Sequence, residues 1–139
     1  MKRKILFICT GNSCRSQMAE GFARNYGWNT YSAGVNPSKN VNPYAIKVMK
    51  ELSIDISQQK TNPVDDYVHE NFDIVATVCD HAKEHCPTFT GSCKKRLHRS
   101  FIDPYNFKGT DDEITSVYRR VRDQISEWIK SITQEEFTA

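Results

Sequence analysis

The stretch Ile5-Leu6-Phe7-Ile8-Cys9-Thr10-Gly11-Asn12-Ser13-Cys14-Arg15-Ser16 joins four apolar residues, the length of a buried strand, to a polar loop in which five residues separate a cysteine from an arginine. Beyond it Met18, Ala19, Phe22, Ala23 and Tyr26 recur at helical spacing and share one face. The loop thus runs from a strand end to a helix start. Unpaired backbone N–H groups and the positive end of the helix dipole converge there, which favours an anion, either a bound oxyanion or the thiolate of a cysteine. Gly11 permits the turn and Asn12 tolerates positive φ. Arg15 offers a planar fork of donors to a tetrahedral oxyanion, and the Ser16 hydroxyl can hydrogen-bond the Cys9 sulfur. The pattern predicts an oxyanion cradle formed by Thr10, Gly11, Asn12, Ser13, Cys14, Arg15 and Ser16, with Cys9 as nucleophile. The Cys14 side chain must point away if the backbone N–H groups point in. The plainer alternative is a phosphate-binding turn with an idle cysteine, since P-loops bind phosphate without a nucleophile.

Strands and helices alternate along the rest of the chain. Residues 28–34 read as a strand ending at glycine, and Asn42 then caps a helix with Pro43 at its first position and Ala45, Val48, Met49 and Leu52 inward. Asn62-Pro63 interrupts the chain, a short amphipathic segment spans 64–69, and residues 72–78 form a β-branched run suited to the centre of a sheet. Residues 96–101 read as a shorter, more exposed strand. Thr110-Asp111-Asp112-Glu113 is a capping box before a long amphipathic helix carrying Ile114, Val117, Tyr118, Val121, Ile125, Trp128, Ile129 and Ile132. These elements predict one α/β catalytic domain over residues 1–139, a three-layer sandwich with a mostly parallel sheet of about four strands flanked by helices.

Composition narrows the function classes. Nineteen basic and seventeen acidic residues leave a formal charge of +2, too even a balance to make nucleic acid the default partner. No apolar run approaches a membrane span and no signal peptide precedes the first strand, so the expected compartment is the cytoplasm. Five cysteines there read as reactive thiols before a disulfide framework.

A second informative region is Cys79-Asp80-His81-Ala82-Lys83-Glu84-His85-Cys86-Pro87. Cys79 follows a strand, as Cys9 does, and open parallel sheets carry their sites beyond the carboxyl ends of the strands. In a helix Cys79 and Cys86 would stand ~10 Å apart, beyond disulfide reach, so pairing requires this segment to unwind. Otherwise Cys79 is a small buried apolar residue and Cys86 a bystander. Cys93 repeats the spacing, and with His81, His85 and His98 nearby a zinc site is an alternative, although the gaps match no common structural-zinc pair. The basic run Lys94-Lys95-Arg96-Leu97-His98-Arg99 reads as a solvated edge or an anion-steering rim. Asp103, fixed by Pro104, can be aimed at the cradle as a general acid or base.

Taken together, residues 9–21, Tyr31-Ser32-Ala33-Gly34, Asp55-Ile56-Ser57, Thr77-Val78-Cys79, Cys86-Pro87 and Asp103-Pro104 resemble the thioredoxin-coupled arsenate reductases, which share the fold of the low-molecular-weight protein tyrosine phosphatases. The sequence departs from that pattern in carrying Cys93, and Arg99-Ser100 where the family more often has a tryptophan-glycine pair. The resemblance implies that Cys9, Cys79 and Cys86 form a three-cysteine relay assisted by Arg15 and Asp103, reducing arsenate to arsenite and regenerated by thioredoxin. Phosphate and sulfate are then competing oxyanions. It implies no tightly bound cofactor, a potassium ion beside the loop at Asn12, Glu20 and Ser32, with Asn62 where the matching acidic residue would stand, and a monomer with neither nucleic-acid nor membrane partner. Two rival classes remain: a phosphatase using only Cys9, Arg15 and Asp103, and a binding module that holds oxyanions without turnover.

Overall fold

A computed structural model describes residues 3–80 and 89–138. Four strands, β1 (Lys4–Cys9), β2 (Asn29–Gly34), β3 (Asn71–Thr77) and β4 (Ser92–His98), form one sheet in the order β2-β1-β3-β4. Every neighbouring pair is parallel. Three helices, α1 (Arg15–Asn25), α2 (Pro43–Lys50) and α3 (Asp111–Thr138), and two 3-10 turns, Val64–Tyr67 and Pro104–Asn106, complete the described elements. The register pairs Cys9 with Gly34, Ile8 with Thr77 and Thr77 with His98, so the carboxyl ends of all four strands come out on one rim.

The two sheet faces are covered unequally. Ile5, Phe7 and Cys9 of β1 and Ile74 and Ala76 of β3 join Met18, Phe22, Met49, Tyr118, Ile125 and Ile129 in one core, which places the three α-helices against one face. The alternate residues Leu6, Ile8 and Val75 point the other way, as the two-residue period of a strand requires, and with Phe72 near the start of β3 they meet Phe89, Val64 and Tyr67. The α/β sandwich expected from the sequence is therefore present, and among the described residues its thinner layer consists of the 64–67 turn and Phe89.

Local chemistry fixes the element ends. The Asn42 side chain accepts from the Tyr44 N–H at 2.8 Å, with Pro43 at the first helical position. Thr110 Oγ1 accepts from the Glu113 N–H at 3.2 Å, while Glu113 Oε1 accepts from the Thr110 N–H at 3.1 Å, closing the capping box. Helix α3 runs on past Ile132 to Thr138, because Arg3 holds its last turn: Nη2 meets Glu136 Oε1 at 2.6 Å and the guanidinium lies over the Trp28 and Phe137 rings.

Three local expectations are corrected. The fourth strand is Ser92–His98, not 96–101; it pairs through its backbone with β3 while Lys94, Lys95 and Arg96 stay in solvent, so no apolar alternation marks it. The 64–69 segment is amphipathic as expected: within its 3-10 turn Val64 and Tyr67 pack on the sheet while Asp65 and Asp66 stay exposed. Tyr26 is 40% exposed because it caps α1 where the chain turns through Gly27 at φ 95. Leu52 is 45% exposed because α2 ends at Lys50, before the face would carry it inward. Among the described residues no helix is long and apolar enough to cross a membrane.

Candidate active site

The loop between β1 and α1 turns its backbone inside out. Its carbonyls are satisfied from outside: Thr10 O accepts from the Asn36 N–H at 3.0 Å, Gly11 O from Ser38 at 2.8 Å, Ser13 O from Asn42 at 2.9 Å and Cys14 O from Met18 at 3.0 Å. Asn12 O accepts from Gln17 Nε2 at 2.9 Å. With five consecutive carbonyls committed outward, the loop's N–H groups are directed to its inner side, where an oxyanion can take them. Asn12 adopts φ 51, the left-handed conformation that asparagine tolerates, and Gly34 lies against the loop.

Cys9 lies at the end of β1, 2% exposed, with Sγ 2.9 Å from Ser16 Oγ and accepting from the Asn12 N–H at 3.2 Å. Arg15, also 2% exposed, donates from Nη1 to the Phe101 carbonyl at 3.2 Å, and its Nη2 stands 3.3 Å from Asp103 Oδ2. Asp103 caps the 3-10 turn, accepting from the Tyr105 N–H at 3.1 Å through Oδ1. Cys9, Thr10, Gly11, Ser13, Cys14, Arg15 and Asp103 line one cavity of about 200 Å³, and Ser16 supports it from behind Cys9. Asn36, Ser38 and Tyr105 line it as well, and Gln17 ties the loop to the Lys60 carbonyl at 2.9 Å. None of these four was legible as a site residue: Asn36, Ser38 and Tyr105 contribute through the fold, and Gln17, although within the 9–21 stretch, acts by tying the loop to its neighbour.

Beside the loop, Asn12 Nδ2 donates to Ser16 Oγ at 2.8 Å and to Ser32 Oγ at 2.9 Å, and Ser32 Oγ donates to Glu20 Oε1 at 2.5 Å. Asn12 Oδ1 accepts from the Asn62 N–H at 2.8 Å. Burial pushes the Glu20 carboxyl above its ordinary range, against the opposing influence of Ser32 and Arg24.

The second predicted thiol is at the same rim. The Val78 N–H donates to the Ile8 carbonyl at 2.9 Å, and Cys79, fully buried, has its sulfur 3.9 Å from that same oxygen, one residue before Cys9. Cys79 is disulfide-bonded, whereas Cys9, Cys14 and Cys93 are free. Cys86, with His81 and His85, lies outside the described residues. Cys93 packs on the far face of the sheet from Cys9. Among the described residues no three of the His, Cys, Asp and Glu side chains converge as a metal site requires.

Comparison with known proteins agrees with this geometry. Residues 4–137 match the model of the low molecular weight phosphotyrosine protein phosphatase family. An arsenate reductase of Halalkalibacterium halodurans is 48% identical over 136 residues, covering 96% of each chain. One of Bacillus subtilis is 44% identical over 138 residues, covering 96% of this chain and 98% of that one. A solved arsenate reductase in its phosphate-binding state superposes with a TM-score of 0.77 at 31% identity, covering 96% of this chain and 98% of the other. The chain therefore belongs to the low molecular weight phosphotyrosine protein phosphatase family, among its arsenate reductase relatives.

Proposed function

We propose that this chain is a cytoplasmic arsenate reductase that uses Cys9, Cys79 and Cys86 in turn and is regenerated by thioredoxin. The observation that carries the reading is the second thiol: Cys79 is packed against the residue preceding Cys9, a position that a phosphatase relying on Cys9, Arg15 and Asp103 alone does not need. Arsenate shares the tetrahedral shape and charge of phosphate, so the loop N–H groups and the Arg15 fork bind it. The Cys9 thiolate attacks arsenic while Asp103 gives a proton to the departing oxygen. Cys79 then attacks Cys9 Sγ; the sulfur–arsenic bond breaks, its electron pair stays on arsenic, and arsenite leaves. Cys86 attacks Cys79 and frees Cys9, carrying the disulfide outward to a reductant.

A potassium ion beside the loop would offset the buried Glu20 carboxylate: Glu20 and Ser32 present oxygens there, while Asn12 turns Nδ2 toward Ser32 and Oδ1 toward the Asn62 N–H. Glu20, Ser32 and Asn12 would hold the ion, which would supply positive charge behind the loop. The whole of residues 1–139 acts as one monomeric catalytic unit.

The test is a thioredoxin-coupled assay that follows NADPH oxidation on adding arsenate. Turnover dependent on both arsenate and thioredoxin is the expected result. Efficient hydrolysis of an aryl phosphate without such turnover would make the chain a phosphatase.

A further inference from the structure

Cys79 is not the only cysteine near the nucleophile: Cys14 lies in the same loop as Cys9, five positions beyond it. It is free and 2% exposed, with Sγ 3.4 Å from Tyr118 Oη and 3.5 Å from Ser13 Oγ. Tyr118 is 1% exposed on α3, its ring stacked on Tyr44 at 5.3 Å between centroids, and the Tyr44 hydroxyl donates to Asp111 at the start of α3. The hydroxyl facing Cys14 is thus clamped from behind. Burial pushes the Cys14 thiol up to about 12 against the opposing hydrogen bonds of Tyr118 and Ser13, with Asp103 and Cys9 adding to the rise, so it stays protonated. Cys9 meanwhile faces Ser16 and the Asn12 N–H.

We propose that Tyr118 is a positioning residue that decides which thiol resolves oxidised Cys9: by holding the Cys14 sulfur against α3 it leaves the exchange to Cys79. Its arsenate arm rests on the reading above; its peroxide arm rests on thiol chemistry alone. With peroxide, the Cys9 thiolate breaks the O–O bond to give a sulfenic acid and water, and a second thiol displaces the sulfenic oxygen as water to form a disulfide. With arsenate, the second thiol displaces arsenic, which leaves as arsenite with the electron pair. If Cys14 were that thiol, the disulfide would close inside the cradle, and the oxidising equivalent would not pass to Cys79 and Cys86.

The experiment oxidises fully reduced protein with one equivalent of hydrogen peroxide, quenches with an alkylating agent and maps the disulfides. Wild type should give disulfides formed by way of Cys79, Cys9–Cys79 and the Cys79–Cys86 that follows from it, in excess over Cys9–Cys14. Tyr118→Phe should raise the share of Cys9–Cys14 about two- to tenfold, the range that one neutral hydrogen bond supports. Adding Cys14→Ser to that variant should remove the product. Tyr118→Leu takes its place should the phenylalanine form fail to fold. A Cys9–Cys14 majority in wild type, or an unchanged ratio in the variants, overturns the proposal. Arsenate replaces peroxide in a parallel arm. A shifted ratio with peroxide but no thiol oxidation by arsenate leaves the role of Tyr118 standing and removes the arsenate reading. Arsenate-driven Cys9–Cys79 formation at an unchanged ratio does the reverse.

Discussion

Arg15 and Asp103, 88 positions apart in sequence, face each other across the cradle with Nη2 3.3 Å from Oδ2, the guanidinium 2% and the carboxylate 22% exposed. The arginine also donates to the Phe101 carbonyl, so one side chain of the loop between β1 and α1 fixes both the backbone and the carboxylate of the Asp103 loop. The groups proposed for binding and for proton transfer are therefore geometrically linked.

That linkage makes Arg15→Lys more damaging than a loss of charge would be, because the charge is kept. An ammonium cannot bridge an oxyanion, Phe101 O and Asp103 with planar geometry. The expected loss in kcat/KM is at least about 10²-fold, the cost of one transition-state donor. Asp103→Asn should cost about 10²- to 10⁴-fold, and Cys9→Ser should abolish turnover. Steady-state arsenate kinetics of the three variants check the ranking.

The relay predicts two different arrests. Cys86→Ser should reduce about one equivalent of arsenate and stop with Cys9 and Cys79 joined, since no thiol remains to free Cys9. Cys79→Ser should release no arsenite. Arsenite release in a single exposure, followed by peptide mapping, distinguishes them; sustained thioredoxin-linked turnover by Cys86→Ser would sink the order of attack.

Gly34 predicts a defect in binding. A Cβ there would lie 2.8 Å from the Thr10 carbonyl oxygen and 3.0 Å from the Asn12 nitrogen, both parts of the loop. Gly34→Ala should destabilise the fold by about 1–3 kcal/mol. Because the displaced atoms belong to the cradle, phosphate affinity measured by calorimetry should fall by a larger factor than in Gly27→Ala, a control whose φ of 95 strains the chain away from the cradle.

An acid-sensitive tie joins α2 to α3. Arg119 above all, with Arg122, holds the Glu51 carboxyl at about 2, below the ordinary 4.5. A carboxyl lowered in the folded state stabilises the fold above its ordinary value, and that contribution is lost as pH falls from 4.5 toward 2. Wild type should therefore be more stable than Glu51→Gln at pH 7, and the gap in urea midpoint should close across that window.

The parts of the fold that were legible in sequence are those where side chains dictate backbone. Pro43 after Asn42, the Thr110–Glu113 box and the apolar run of β1 each leave a local signature, as do Cys9, Arg15 and Asp103. What escaped is set by tertiary pairing. β4 owes its place to hydrogen bonds with β3, so its Lys94-Lys95-Arg96 centre carries no strand pattern. Asn36 and Ser38 serve the cradle through backbone N–H groups, a use that residue identity does not advertise. Tyr118 read as one more apolar position of α3, and only its meeting with Cys14 gives its hydroxyl a purpose.

The charged outer strand has a further consequence for how copies of this chain meet. Among the described residues the parallel sheet ends in β4, and an edge strand presents a row of backbone donors and acceptors to which another strand could add. A second copy docking there in register would set Lys94, Lys95 and Arg96 opposite their own counterparts, and like charges directly opposed on paired strands repel. The lysines and arginine that obscured the strand in the sequence thus make its open edge a poor template for sheet growth.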